Sequence, residues 1–162
     1  MPPEAGQKAH FRGLEALYRS APVNALFRSD IEIAEPGQAR IRFEVDDSVF
    51  HAAGAAHGTL YFKMMDDAAL YACNSLVSDR FLLTTAFNLV FTRPIRSGPV
   101  VAEGRWISGK RRVFVGEARL LLADGEEAAR GTGTFMRSHI ALSGLEGYRP
   151  EGPSPASPVR SW

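Results

Sequence analysis

The chain holds one cysteine, Cys73, in 162 residues, so no intrachain disulfide can form and stability must come from burial. No apolar run approaches the roughly 18 residues of a membrane span. The opening stretch MPPEAGQKAHFRGLEALYRS lacks the apolar h-region of a secretory signal. A net charge of +1 provides no overall field to draw nucleic acid or an anionic membrane. Strands and helices do not alternate as they would in a parallel nucleotide-binding sheet, and no repeat of 20–50 residues occurs. There is no Gly-x-Ser-x-Gly elbow. No His/Cys/Asp cluster has metal-ligand spacing, and His10 and His139 lie far from the other histidines, so no metal is expected. What remains is a soluble, cytoplasmic domain with no nucleic-acid or membrane partner.

What is present is a 45% hydrophobic, 23% charged composition, ordinary for a globular domain. Phe11, Leu14, Leu17 and Tyr18 repeat at helical spacing, which predicts a short amphipathic helix over His10–Ser20. Asn24–Ala34 and Arg40–Val45 alternate around Glu35-Pro36-Gly37-Gln38 and read as a hairpin. A Gly/Ala/His-rich loop then leads into one long helix, from about His57 to about Val77. Four strand-like runs follow, Leu82–Thr92, Val100–Ile107, Arg112–Leu122 and Glu127–Arg137, which suggest a four-stranded meander. The expected plan is α+β: about six antiparallel strands wrapped around one long helix, plus a short N-terminal helix. Residues 1–142 would form a single domain with its core at about 24–138. The Pro/Gly/Ser-rich residues 143–162 would be a tail without fixed structure, Trp162 being either a frayed end or an anchor to a partner surface.

The long helix carries two adjacent acids, Asp66 and Asp67. Stepping 100° per residue places Asp67 between Lys63 and Asn74 on a polar stripe, where a Lys63–Asp67 pair is ordinary helix chemistry. Asp66 falls instead among Thr59, Phe62, Leu70 and Cys73, so its carboxyl should have a raised pKa or sit at a cavity mouth. It reads as either a functional acid or base, or a structural carboxylate. At the helix start, His57-Gly58-Thr59 offers backbone N–H groups without intrahelical partners, suited to polarising a carbonyl oxygen. Gly58 and Asp66 are eight residues apart, about 12 Å along the helix axis. If both serve one reaction centre, Asp66 must come from a second copy of the chain, with two such helices side by side.

His57-Gly58, then Asp66, Ala68 and Tyr71-Ala72-Cys73-Asn74-Ser75, with Thr92-Arg93-Pro94 downstream, resemble the hotdog-fold acyl-CoA thioesterases, most of all their phenylacetate-pathway (PaaI-like) branch. The resemblance spans roughly residues 45–137. It implies an antiparallel sheet wrapped around a long helix, and a homodimer or a dimer of dimers (a homotetramer). It also implies acyl-CoA as substrate, with coenzyme A part of that substrate and no separate cofactor. Asp66 falls on the family's catalytic acid, acting as general base or nucleophile, and Gly58 on the residue whose N–H polarises the thioester carbonyl. Gly54 also matches. Thr59 replaces the family's second glycine, and His51 stands where the family has an asparagine, which makes His51 a candidate for that role. His57 is a candidate loop organiser or substrate contact.

Thr84 and Thr85 are expected either to line the acyl or thioester pocket or to pack within a strand. Lys110 and Arg111, in the run ending at Arg112, either form a solvated turn or contact the CoA phosphates. Phe62 and Met65 belong to the core, the dimer interface or the acyl pocket. Gly131-Thr132-Gly133 lacks the context of a phosphate loop. Because fold does not fix function, a non-catalytic acyl-CoA-binding or interaction protein is the alternative. A hotdog dehydratase is a third reading, without the usual histidine–acid pair.

Overall fold

The computed structural model describes residues 2–151. The first helix, α1 (Ala5–Ser20), starts at a capping box between Glu4 and Gln7 and buries Phe11, Leu14 and Tyr18. It begins more than a turn before His10, because its first residues are largely exposed and carry no large apolar side chain to mark the helical spacing. A short 3-10 turn, Pro22–Leu26, leads to β1 (Ser29–Glu32) and β2 (Gln38–Val45). The 3-10 turn occupies the first part of what reads in sequence as one strand. Strand β2 alternates buried and exposed along its length, as a strand with one dry face should.

The central helix α2 (Gly58–Asn74) is followed by β3 (Arg80–Phe91), β4 (Gly98–Ser108), β5 (Val113–Leu122) and β6 (Glu127–Ala141). The six strands form one antiparallel sheet in the order β1-β2-β4-β5-β6-β3. The last four strands are therefore not a simple meander. Only β4-β5-β6 is one, while β3 pairs with β6 and ends the sheet, and β2 lies beside β4. The sheet closes on α2 because the helix presents Ala68, Ala69 and Ala72, all fully buried, toward it. At the closest approach, β4 carries Gly104, where a Cβ would stand 2.1 Å from the carbonyl oxygen of Ala68.

Buried side-chain bonds fix the C-terminal end of α2. Asn74 Oδ1 accepts the Leu82 N–H at 2.8 Å, and its Nδ2 donates to the carbonyls of Val77 and Arg80. The Asn74 carbonyl in turn accepts from His10 Nε2 at 2.9 Å, which leaves His10 Nδ1 to accept the Tyr148 hydroxyl at 2.8 Å. Leu145 and Tyr148 pack against the core, so the expected tail without structure does not begin at residue 143. Residues 152–162, with Trp162, lie outside the described residues. Among the described residues, no helix is long and apolar enough to cross a membrane.

Candidate active site

The loop before α2 is built by backbone bonds. The His51 N–H donates to Ala55, Gly54 N–H to His51, and His57 N–H to Val49. Gly54 takes φ +84° at this turn, in the left-handed region that suits glycine, which gives that matching position a conformational reason. His51 itself is exposed, and its Nδ1 accepts the Ala53 N–H at 3.0 Å. It organises its own loop.

His57 is the N-cap of α2: its Nδ1 accepts the Thr59 N–H at 3.1 Å, with Thr59 Oγ1 3.0 Å away. The Thr59 N–H is thereby occupied, whereas Gly58, as the first helical residue, has an N–H with no intrahelical acceptor. A Cβ at Gly58 would stand 3.2 Å from the Phe91 ring. Phe91 also meets Tyr61 edge-on at 4.8 Å, and the Tyr61 hydroxyl donates to the Arg93 carbonyl at 2.8 Å. That bond ties the Thr92-Arg93-Pro94 segment to the first turns of the helix.

Two turns on, Asp66 is half-buried, and its Oδ1 accepts the Thr84 hydroxyl of β3 at 2.8 Å. Burial pushes its carboxyl up to about 6, and the neighbouring Asp67 charge adds to this. The Thr84 bond and Lys63 work in the opposite direction. The sequence expectation of a raised pKa therefore has a structural cause. Thr84 and Thr85 do not share a role. Thr84, in phase with buried Leu82, turns to the helix by ordinary strand alternation, and a bulge then shifts the β3–β6 register between Thr84 and Ala86. Thr85, with its hydroxyl 2.8 Å from that of Thr134, is exposed on the other side. Thr85 therefore does not line the Asp66 site within this chain. The same bulge brings Phe87 inward, edge-on to Phe62 with centroids 5.6 Å apart.

Asp67 does form the expected pair with Lys63, at 2.7 Å, but not on a wet face. Lys63 also donates to Asn24 Oδ1 and to the Tyr18 hydroxyl, and lies 4.7 Å from the Tyr18 ring and 5.5 Å from the Phe27 ring. Burial raises the Asp67 carboxyl and the Lys63 charge opposes it. The residues of the N-terminal segment that enclose this pair are more than 35 positions away in sequence, so a helical wheel could not show them.

Lys110 lies over the Trp106 ring at 6.0 Å and Arg111 is exposed beyond it at the β4–β5 hairpin tip. Neither bonds to Asp66 within the chain. Cys73 is fully buried, and burial pushes its thiol up to about 12, which disfavours the reactive thiolate. Met65 is fully buried, whereas Phe62 is 42% exposed. Among the described residues, no three His, Cys, Asp or Glu side chains gather as metal ligands would.

An antiparallel sheet closed around one long helix is the hotdog architecture. Residues 53–129 match the model of the Thioesterase superfamily. The structure of the Escherichia coli PaaI protein from the phenylacetic acid degradation operon superposes with a TM-score of 0.77 at 21% identity, over 85% of this chain and 99% of that one. A "Putative esterase" of Saccharolobus solfataricus is 26% identical over 66% of this chain and 71% of its own. Another, of Sulfurisphaera tokodaii, is 28% identical over 68% and 85%. The chain has the hotdog fold, and its residues 53–129 are similar to the Thioesterase superfamily.

Proposed function

We propose that the chain hydrolyses an acyl-CoA thioester to the free acid and coenzyme A, at a site assembled from two copies. The observation that carries this reading is Asp66, a half-buried carboxylate that keeps one polar partner, Thr84, and a pKa of about 6. That value is matched to proton abstraction near neutral pH. Gly58 N–H of the neighbouring copy holds the thioester carbonyl oxygen as negative charge grows on it, aided by the positive end of the α2 dipole. Asp66 takes a proton from water as its oxygen attacks the carbonyl carbon. The tetrahedral intermediate then collapses, the C–S bond breaks and the CoA sulfur leaves, taking up a proton to become the thiol.

Distance requires the second copy. The two groups lie about 12 Å apart along one helix. Two cavities of about 700 and 880 Å³ lie elsewhere on the chain, and neither is lined by Asp66 or Gly58. Strand β3 is a sheet edge with Val90 and Phe91 exposed, a surface that a second β3 can cover.

Release of free thiol from a panel of aryl- and fatty acyl-CoAs tests the reading; saturable binding without thiol release would favour the non-catalytic binder. Within that assay, Thr84→Val removes a bond to a charged group worth about 1.5–3 kcal/mol. The expected result is a loss of about tenfold or more in kcat/KM, with the acid limb of the pH profile moved upward, since Thr84 holds the Asp66 pKa down. An unshifted limb would assign Thr84 to packing alone.

A further inference from the structure

The two proposed catalytic groups also determine where the axis relating the two copies passes. In antiparallel helices related by a twofold axis, Gly58 of one chain can face Asp66 of the other only if the residue midway between them faces its own copy. That residue is Phe62. It is 42% exposed in the single chain, and it meets Phe87 edge-on. Phe87 lies near the middle of β3 (Arg80–Phe91), one of the two edge strands of the sheet. One axis near this contact therefore centres both the helix pair and a β3–β3 pairing.

Charge agrees with this placement. The only charged side chain within one residue of Phe62 is Lys63, which is drawn away by Asp67 and Asn24, so two like charges do not meet at the axis. Phe62 also stands one turn before Asp66 on nearly the same face, within side-chain reach. A thioester carbonyl held at Asp66 has a charged CoA group on one side, which must run out to water. Its acyl group is left to the apolar side, where Phe62 and Phe87 stand.

We propose that Phe62 lies on the twofold axis of the working dimer, where the Phe62–Phe87 pairs of both copies form one apolar partition shared by the two thioester sites and limit the acyl group each accepts. This rests on the reading of one site built from two chains.

Cross-linking tests the axis without reference to activity. Helices packed at about 8–10 Å, with Cα atoms about 2.3 Å from each axis, bring facing Cα atoms to about 3.4–5.4 Å, which overlaps the disulfide range. Phe62→Cys treated with diamide is expected to give a covalent dimer on a non-reducing gel. Leu26→Cys, at a 74% exposed position, is expected to stay monomeric on that gel. A dimer in solution that yields no covalent Phe62→Cys product, or a monomer in solution, overturns the proposal.

Thiol release from an acetyl-to-dodecanoyl series tests the partition. Phe62→Ala, with Phe62→Leu as the milder variant, is expected to raise the long-to-short ratio of kcat/KM by about tenfold or more. An unchanged profile in a variant of wild-type size overturns the size limit. If the unaltered protein releases no thiol from any substrate, the hydrolase reading fails and the size limit fails with it, while the cross-link still decides the axis.

Discussion

Asp66→Asn is expected to abolish thiol release, to leave the oligomer intact and to raise the melting temperature at neutral pH. The first effect removes the only group proposed to take the proton from water. The second follows because asparagine keeps the shape and can still accept the Thr84 hydroxyl. The third follows from linkage. The Asp66 carboxyl goes from 3.8 to about 6 on folding, so between those values the folded state binds more protons than the unfolded one. Its contribution to stability is complete below the unfolded pKa and is lost as pH rises through the folded one. Above about pH 6 the protein therefore carries the cost of a buried ionised acid. At about 1.4 kcal/mol for each pKa step of one, relieving that cost is worth on the order of 1–3 kcal/mol. Melting curves of the two proteins should separate by several degrees at pH 8 and converge near pH 4. In the unaltered protein, kcat/KM should fall tenfold per pH step below about 6. A variant that keeps full activity removes Asp66 from the mechanism. Equal melting curves across the whole pH range would show that the buried charge carries no cost.

Gly58→Pro is the second large effect, and it isolates a single atom. Proline lacks the N–H but is well tolerated at the first position of a helix. The residue before it must be extended, and His57 already is, at φ −67° and ψ 147°. The expected loss is about 10²–10³ in kcat, as for other donors to a developing oxyanion, with the fold retained. Crowding is controlled by Gly58→Ala, which meets the same Phe91 ring but keeps the N–H. Alanine should retain most of the rate, and equal losses in the two variants would make Gly58 a packing position.

Local pattern made much of this legible. The alternation of β2 and the apolar face of α2 are short-range features, and each appears where the residues indicate. The Asp66/Asp67 division was readable because the helical angle alone separates an apolar stripe from one containing Lys63. Three features were not readable. The β3–β6 pairing joins runs some 50 residues apart, and chain order does not say which strands become neighbours. The enclosure of Lys63 and Asp67 depends on Tyr18, Asn24 and Phe27, which approach only once α1 has docked. A bulge between Thr84 and Ala86 brings Phe87 to the helix in place of Ala86. A run of Thr, Thr, Ala and Phe carries no mark of that extra residue.

On the proposed reading, each reaction centre takes Asp66 from one chain and Gly58 from another. Mixed dimers test it most directly. Asp66→Asn and Gly58→Pro chains, each inactive alone, are co-expressed with different tags, and the doubly tagged species is purified. In that heterodimer one site contains both altered groups and the other contains neither. Shared sites predict recovery of about half the wild-type rate per heterodimer. If each site lay within a single chain, both sites would be damaged. A heterodimer as inactive as its parents would rule out shared sites.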